Sequence, residues 1–140
     1  MLTAGSIEQS LLRAQSLAQA GRLAEAWVAI APAKAAIWNN GQALRLYALI
    51  AQNAGQDGAA IDALERIVAI ENAPLPIIGA LADTLGKAGR HGEAYRQWSR
   101  LVALDPNAAD AHLNRALAAN EAGKPDLAIA AAEDGLRRFP

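Results

Sequence analysis

Glycine recurs at Gly21, Gly55, Gly89 and Gly123, each 34 residues after the one before. Alanine precedes every one of them, at Ala20, Ala54, Ala88 and Ala122. Alanine also lies five residues after each glycine, at Ala26, Ala60, Ala94 and Ala128, and seven before, at Ala14, Ala48, Ala82 and Ala116. Four series in one ungapped register mark an internal repeat, and a fixed period of this length is the signature of a stacked array rather than of a single folded core. The repeats run over 7–40, 41–74, 75–108 and 109–140, the last two residues short.

Within each repeat the pattern is helix, glycine, helix. Ile78, Leu81, Ala82 and Leu85 fall at i, i+3, i+4 and i+7, one face of a helix. Gly89 then ends that helix, as glycine does where a chain turns left-handed past a C-terminus. A second helix buries Ala94, Trp98, Leu101 and Val102, and Asp105-Pro106-Asn107 stops it. Ser6 followed by Gln9 has the spacing of a capping box, Asn107 is placed to cap the next helix, and Pro76 and Pro125 suit first-turn positions. Connections of three to five residues require consecutive helices to pack antiparallel. Composition agrees: alanine, the best helix former, fills 36 of 140 positions, while aromatics are 4%, which argues against an all-β fold.

These residues resemble the tetratricopeptide repeat (TPR) family, whose 34-residue pattern combines large apolar, small and aromatic positions with a closing proline. The third repeat supplies Ile78, Leu81, Ala82, Leu85, Ala94, Trp98 and Pro106. The second has Leu44, Tyr47, Ala48, Ala51, Ala60 and Leu64, with Asn72 in place of proline. The fourth is weaker, with His112, Arg115, Ala116, Ala119, Ala128, Ala132 and Pro140. The first diverges most: Ser10, Arg13, Ala14, Leu17, Ala26, Ile30, and Trp38 at the proline position. The expected fold is therefore all-α, an α-solenoid of antiparallel helix pairs in a TPR-like right-handed superhelix, forming one domain over 1–140. Pro32 falls inside Trp27–Ile37 and is expected to kink or split that helix, leaving either a distorted N-terminal cap or a short helix restarting at Pro32.

Chemistry is sparse. There are no cysteines and two histidines, 21 residues apart, so no metal site is expected. His91 falls in an inter-helix turn, and His112 is expected to be a partly buried packing residue. The acidic pairs Asp62/Glu65 and Glu133/Asp134 are expected on solvated helical faces, and Asp62 and Arg66, spaced i,i+4, are expected to form a surface pair. The tract Gly86-Lys87-Ala88-Gly89-Arg90-His91-Gly92 lacks the Gly-Lys-Ser/Thr ending of a phosphate loop and follows a helix rather than a strand. Thirteen basic and fourteen acidic residues, distributed by repeat as +1, −2, +1 and −1, form no basic stripe. No enzyme activity, cofactor, nucleic acid or membrane partner is expected. With no leader-like start and no long apolar run, a cytoplasmic location is expected.

The resemblance implies a function in binding: the first helices of TPR pairs line a concave groove that takes a peptide or a partner segment. By register the groove candidates are Gln15, Gln42, Arg45, Leu49, Gln52, Gly79, Asp83, Gly86, Lys87, Asn114, Leu117 and Glu121. The carboxylate clamp of chaperone-binding members is not expected. Its positions hold Leu11, Gln15, Leu46, Pro76 and Ala80, or one repeat later Arg45, Leu49, Ala80, Asp110 and Asn114, without the positive charge needed. Gly79 and Gly86, seven residues apart, suggest a shallow trough. The partner would be another protein or another domain of the same polypeptide. The alternative is the N-terminal helper domain of a larger bacterial enzyme, such as a sulfotransferase or glycosyltransferase. The last helix, near Asp126–Arg138, is apolar on several faces where a solenoid end should be polar. The chain is therefore expected to be a fragment of a longer protein, or to self-associate through its C-terminal edge.

Overall fold

The computed structural model describes residues 3–140. Eight α-helices follow one another with no strand among the described residues. They are α1 (Ala4–Gln19), α2 (Leu23–Ile30), α3 (Gly41–Asn53), α4 (Asp57–Ile70), α5 (Leu75–Lys87), α6 (His91–Leu104), α7 (Ala109–Glu121) and α8 (Pro125–Arg138). By contact the chain divides after Asn72 into two units, α1–α4 and α5–α8, each built of two antiparallel helix pairs.

The four repeat glycines all carry φ between +72° and +78°, the left-handed region in which a side chain would be strained. The turn is the same each time. At Gly21, the Arg22 N–H donates to the Leu17 carbonyl (2.9 Å) and the Gly21 N–H to the Ala18 carbonyl (3.0 Å). Gln56 to Ala51, Arg90 to Leu85 and Lys124 to Ala119 repeat the longer bond at 2.8–3.0 Å. This is the Schellman pattern, which satisfies the last carbonyls of the first helix while reversing the chain. The next helix starts at once: Arg22 and Arg90 stand just before α2 and α6 and grip Glu25 and Glu93 three residues on.

The alanine series are the pair crossings. Ala14, Ala48 and Ala82 are buried, as are Ala26, Ala60 and Ala94. Small side chains there let the two backbones approach, and large ones beside them, Ile30, Leu44, Ile61 and Ile67 in the first unit and Ile78, Leu81 and Leu85 in the second, fill the core. Ala116 and Ala128 are only half-buried. The last pair is correspondingly open, and α8 leaves Ile129 (58%) and Leu136 (66%) exposed.

Several local expectations are corrected. Thr3, not Ser6, caps α1: Thr3 Oγ1 accepts from the Ser6 N–H (3.1 Å) and Ser6 Oγ from the Thr3 N–H (2.9 Å). Asn40 caps α3 through the Ala43 N–H (3.1 Å), whereas Ala108, with no side-chain bond to give, precedes α7. Asn107 instead accepts from Arg138 Nε (3.1 Å). Pro32 splits its helix: α2 ends at Ile30 and a single 3₁₀ turn, Ala31–Ala33, follows, with no α-helix restarting there. The segment still buries Ala33 and Ile37, so the break re-aims the chain without losing the core. Trp98 and Val102 are half-buried rather than core, and His91 opens α6 rather than lying in the turn. Asp62 and Arg66 do not pair. Asp62 meets Lys34 Nζ at 3.2 Å, and Arg66 Nε donates to the Trp38 carbonyl at 3.0 Å.

Asn72 and Ala73 both have φ +56°. Asn72 stands at the register position that Pro106 holds in the next repeat, and both residues adopt the left-handed region without being glycine.

Candidate functional site

In the second unit, α5 and α7 present a common surface beside the N-terminal end of α6. Asp83, Gly86 and Lys87 from α5 and Asn114, Leu117 and Glu121 from α7 line one hollow of about 280 Å³. Ala82, Ala94 and Ala118, all buried, form its floor. The hollow exists because these positions are small: a Cβ placed on Gly86 would have no atom within 4 Å. Asp83 and Lys87, one turn apart on α5, form an exposed ion pair at 3.4 Å. Such a pair is weakly held in water and free to exchange partners. Leu117 is exposed and Asn114 half-buried, so the rim offers an apolar contact, an amide and charges of both signs around a shallow apolar floor.

His91 and Trp98 also line this hollow, and neither was among the sequence candidates. The signal was available: antiparallel pairing brings the start of α6 beside the end of α5, and Trp98 stands one turn after Ala94 on the same face. Gly79 is not part of the hollow. A Cβ there would lie 3.6 Å from Leu101 Cδ1 and 3.9 Å from Trp98 Cζ3, so Gly79 faces α6 inside the pair. The two glycines therefore serve different surfaces.

The candidates of the first unit are held differently. Gln15, Gln42 and Leu49 are exposed, and Gln52 is half-buried. Arg45 is engaged by Glu71, Nη1 to Oε2 at 2.5 Å. That hydrogen bond raises the guanidinium pKa and holds the Glu71 carboxyl below its ordinary range. Arg45 thus offers a paired charge rather than a free one.

A larger cavity of about 910 Å³ lies elsewhere in the first unit, lined by Pro32, Lys34, Trp38, Asp62, Glu65 and Arg66 among others. Lys34 Nζ and the Arg66 guanidinium stand 5.4 and 5.7 Å from the Trp38 ring centre. Lys34 and Arg66 are already bonded to Asp62 and to the Trp38 carbonyl, which makes this a packing cluster behind the broken helix. His112 is buried, as expected for a packing residue, with Nε2 2.9 Å from the Pro106 carbonyl. Among the described residues, no three His, Asp or Glu side chains converge where they could hold a metal ion. Nor is any helix among them long and apolar enough to cross a membrane.

No protein family matches the chain by sequence, and no curated protein matches it. Solved structures do match. A crystal structure of MamA protein is 19% identical with a TM-score of 0.74, covering 94% of this chain and 72% of that one. MamA MSR-1 is 16% identical with a TM-score of 0.78, covering 99% of this chain and 80% of that one. A double mutant of MamA RS-1 is 15% identical with a TM-score of 0.74, covering 98% and 77%. At such identities the likeness speaks for the fold alone, and that fold is an all-helical, TPR-like α-solenoid of antiparallel helix pairs.

Proposed function

We propose that the chain is a non-catalytic TPR module of four 34-residue repeats that binds a peptide or partner segment of another protein. The single observation that carries this reading is the hollow of the second unit. Six residues chosen by repeat register, Asp83, Gly86, Lys87, Asn114, Leu117 and Glu121, line it together. Its chemistry suits one side chain of a partner set on the alanine floor, with Asn114 available to the partner's backbone and Asp83, Lys87 and Glu121 reading neighbouring charges. At about 280 Å³ it accommodates a side chain or two rather than a cofactor. The fold likeness to MamA supports the repeat architecture on which this reading rests.

Selection of a displayed peptide library on the purified chain tests the reading. Enriched peptides should share an apolar residue, bind with micromolar affinity and quench Trp98 fluorescence. Binding should weaken about tenfold or more in Gly86→Leu, which fills the hollow. Absence of enrichment, or peptides that bind Gly86→Leu equally well, would falsify the proposal.

A further inference from the structure

The outward faces of α8 and of the α1–α2 pair are complementary to each other, and the interior of the chain supplies the template for how they would meet. In the second unit α7 packs on α6, and one side chain anchors the contact. Arg115 Nε donates to Ser99 Oγ (3.0 Å), its Nη2 donates to Tyr95 Oη (3.4 Å), and its guanidinium stands 5.5 Å from the Tyr95 ring centre. Moving the α6 side of this contact forward by one 34-residue period takes Ser99 to Glu133 and Tyr95 to Ile129. Moving the α7 side back by three periods takes Arg115 to Arg13 on α1. The register therefore sets a cation on one face against an anion on the other.

Among the described residues nothing packs on either face. Ile129, Glu133 and Leu136 fall at i, i+4 and i+7 of α8 and are all exposed. Arg13 is exposed as well, in a groove of about 430 Å³ between α1 and α2 whose wall includes Val28, 72% exposed. Among the described residues neither Arg13 nor Glu133 has an ion-pair partner. An apolar ridge with an anion at its centre matches a groove with a cation at its mouth, whose other charged wall residue, Glu25, is already paired with Arg22.

We propose that two copies of this chain associate head to tail, α1 of one copy docking on α8 of the next. Arg13 meets Glu133 where Arg115 meets Ser99 inside the chain, and Ile129 and Leu136 enter the groove beside Val28. The contact is heterologous, so each copy keeps one free face and can add another.

Sedimentation velocity over a series from about 5 to about 500 µM at low salt tests the proposal, because an exposed ion pair contributes most where screening is weak. Association should rise with concentration and weaken with added salt. Arg13→Glu alone and Glu133→Arg alone should each weaken it about fivefold or more, by setting like charges face to face. Among the described residues neither side chain has an ion-pair partner to lose, so both variants should melt with the parent chain. Mixing the two variants in equal amounts restores opposite charges at every junction. Where the Arg13→Glu copy docks on the Glu133→Arg copy, the pair forms with its signs exchanged, and at the alternate junctions the parent pair of Arg13 and Glu133 forms. The mixture should therefore associate as the parent does. A strict monomer across the series, an association indifferent to both reversals, or a mixture no tighter than either variant alone overturns the proposal.

Discussion

Glu71, the residue just past α4, lays its carboxylate over Gly41 at the start of α3 and bonds Arg45 one turn further on. A Cβ on Gly41 would collide with that carboxylate. The glycine is therefore what lets the ion pair close over the end of the helix. This pair holds α3 to the end of α4, and α3 buries Leu44, Tyr47 and Ala48 along its length, the Tyr47 ring edge-on to Trp27 of α2.

The pair makes stability depend on acid in a defined direction. Glu71 is held below its ordinary range chiefly by the Arg45 hydrogen bond. Its contribution is thus fully present above the unfolded-state carboxyl pKa and is lost as pH falls through the depressed folded value. Glu71→Gln should melt slightly below the parent chain at neutral pH, and the gap should close as pH falls through the carboxylate range. Melting curves followed by circular dichroism check this. A gap that persists in acid would mean the pair contributes by shape and not by charge.

Ala94 is 1% exposed at the crossing of α5 and α6. A leucine there must displace its neighbours, which typically costs about 1–3 kcal/mol. Ala103 is exposed on the same helix and provides the comparison. Ala94→Leu should lower the melting temperature clearly while Ala103→Leu leaves it nearly unchanged. Equal melting temperatures would refute the helix register.

Ala73 sits at φ +56°, where a Cβ crowds the backbone at a cost of about 1 kcal/mol. Ala73→Gly relieves it and loses part of the gain to the freer unfolded chain. The expected result is a modest rise in denaturation midpoint for Ala73→Gly and a fall for Ala73→Val, whose branched side chain is worse placed there. A fall in both would show that the alanine methyl makes a contact worth more than its strain.

Gly79 and Gly86 should separate stability from binding. Each is a helical glycine, and replacing either with alanine should stabilise α5 by roughly 0.5–1 kcal/mol. A Cβ at Gly79 makes ordinary contact with Leu101, and one at Gly86 enters open space. Gly79→Ala should raise the melting temperature and leave peptide affinity alone, while Gly86→Ala raises it and weakens binding. Calorimetric titration with a selected peptide decides, and equal effects on affinity would remove Gly86 from the site.

Periodicity made most of the architecture legible from the amino acids alone. A glycine every 34 residues encodes four identical left-handed turns, because a backbone conformation that only glycine adopts cheaply leaves an unambiguous mark. Alanine at fixed offsets encodes the crossings for a similar reason: close approach tolerates nothing larger. Capping was less legible, since only Ser6 has the Gln three residues on that the sequence pattern asks for, yet Thr3 stands where the first helical turn begins and Ser6 itself completes its box. Which charges would pair was legible only in part, since local pairs such as Asp83–Lys87 form at helical spacing while others do not. Asp62 had Arg66 one turn away in sequence, yet Lys34 reaches it from the segment behind Pro32, and Arg66 turns to the Trp38 carbonyl. Long side chains choose among partners within reach, and reach is set by how the helices pack. The same holds for the two glycines of α5, equivalent in spacing but not in surroundings, and for His91 and Trp98, which join the hollow because α6 folds back beside α5. Short-range steric rules are written residue by residue in the chain. The neighbours that decide a side chain's chemistry come from elsewhere in it, and only the tertiary structure brings them together.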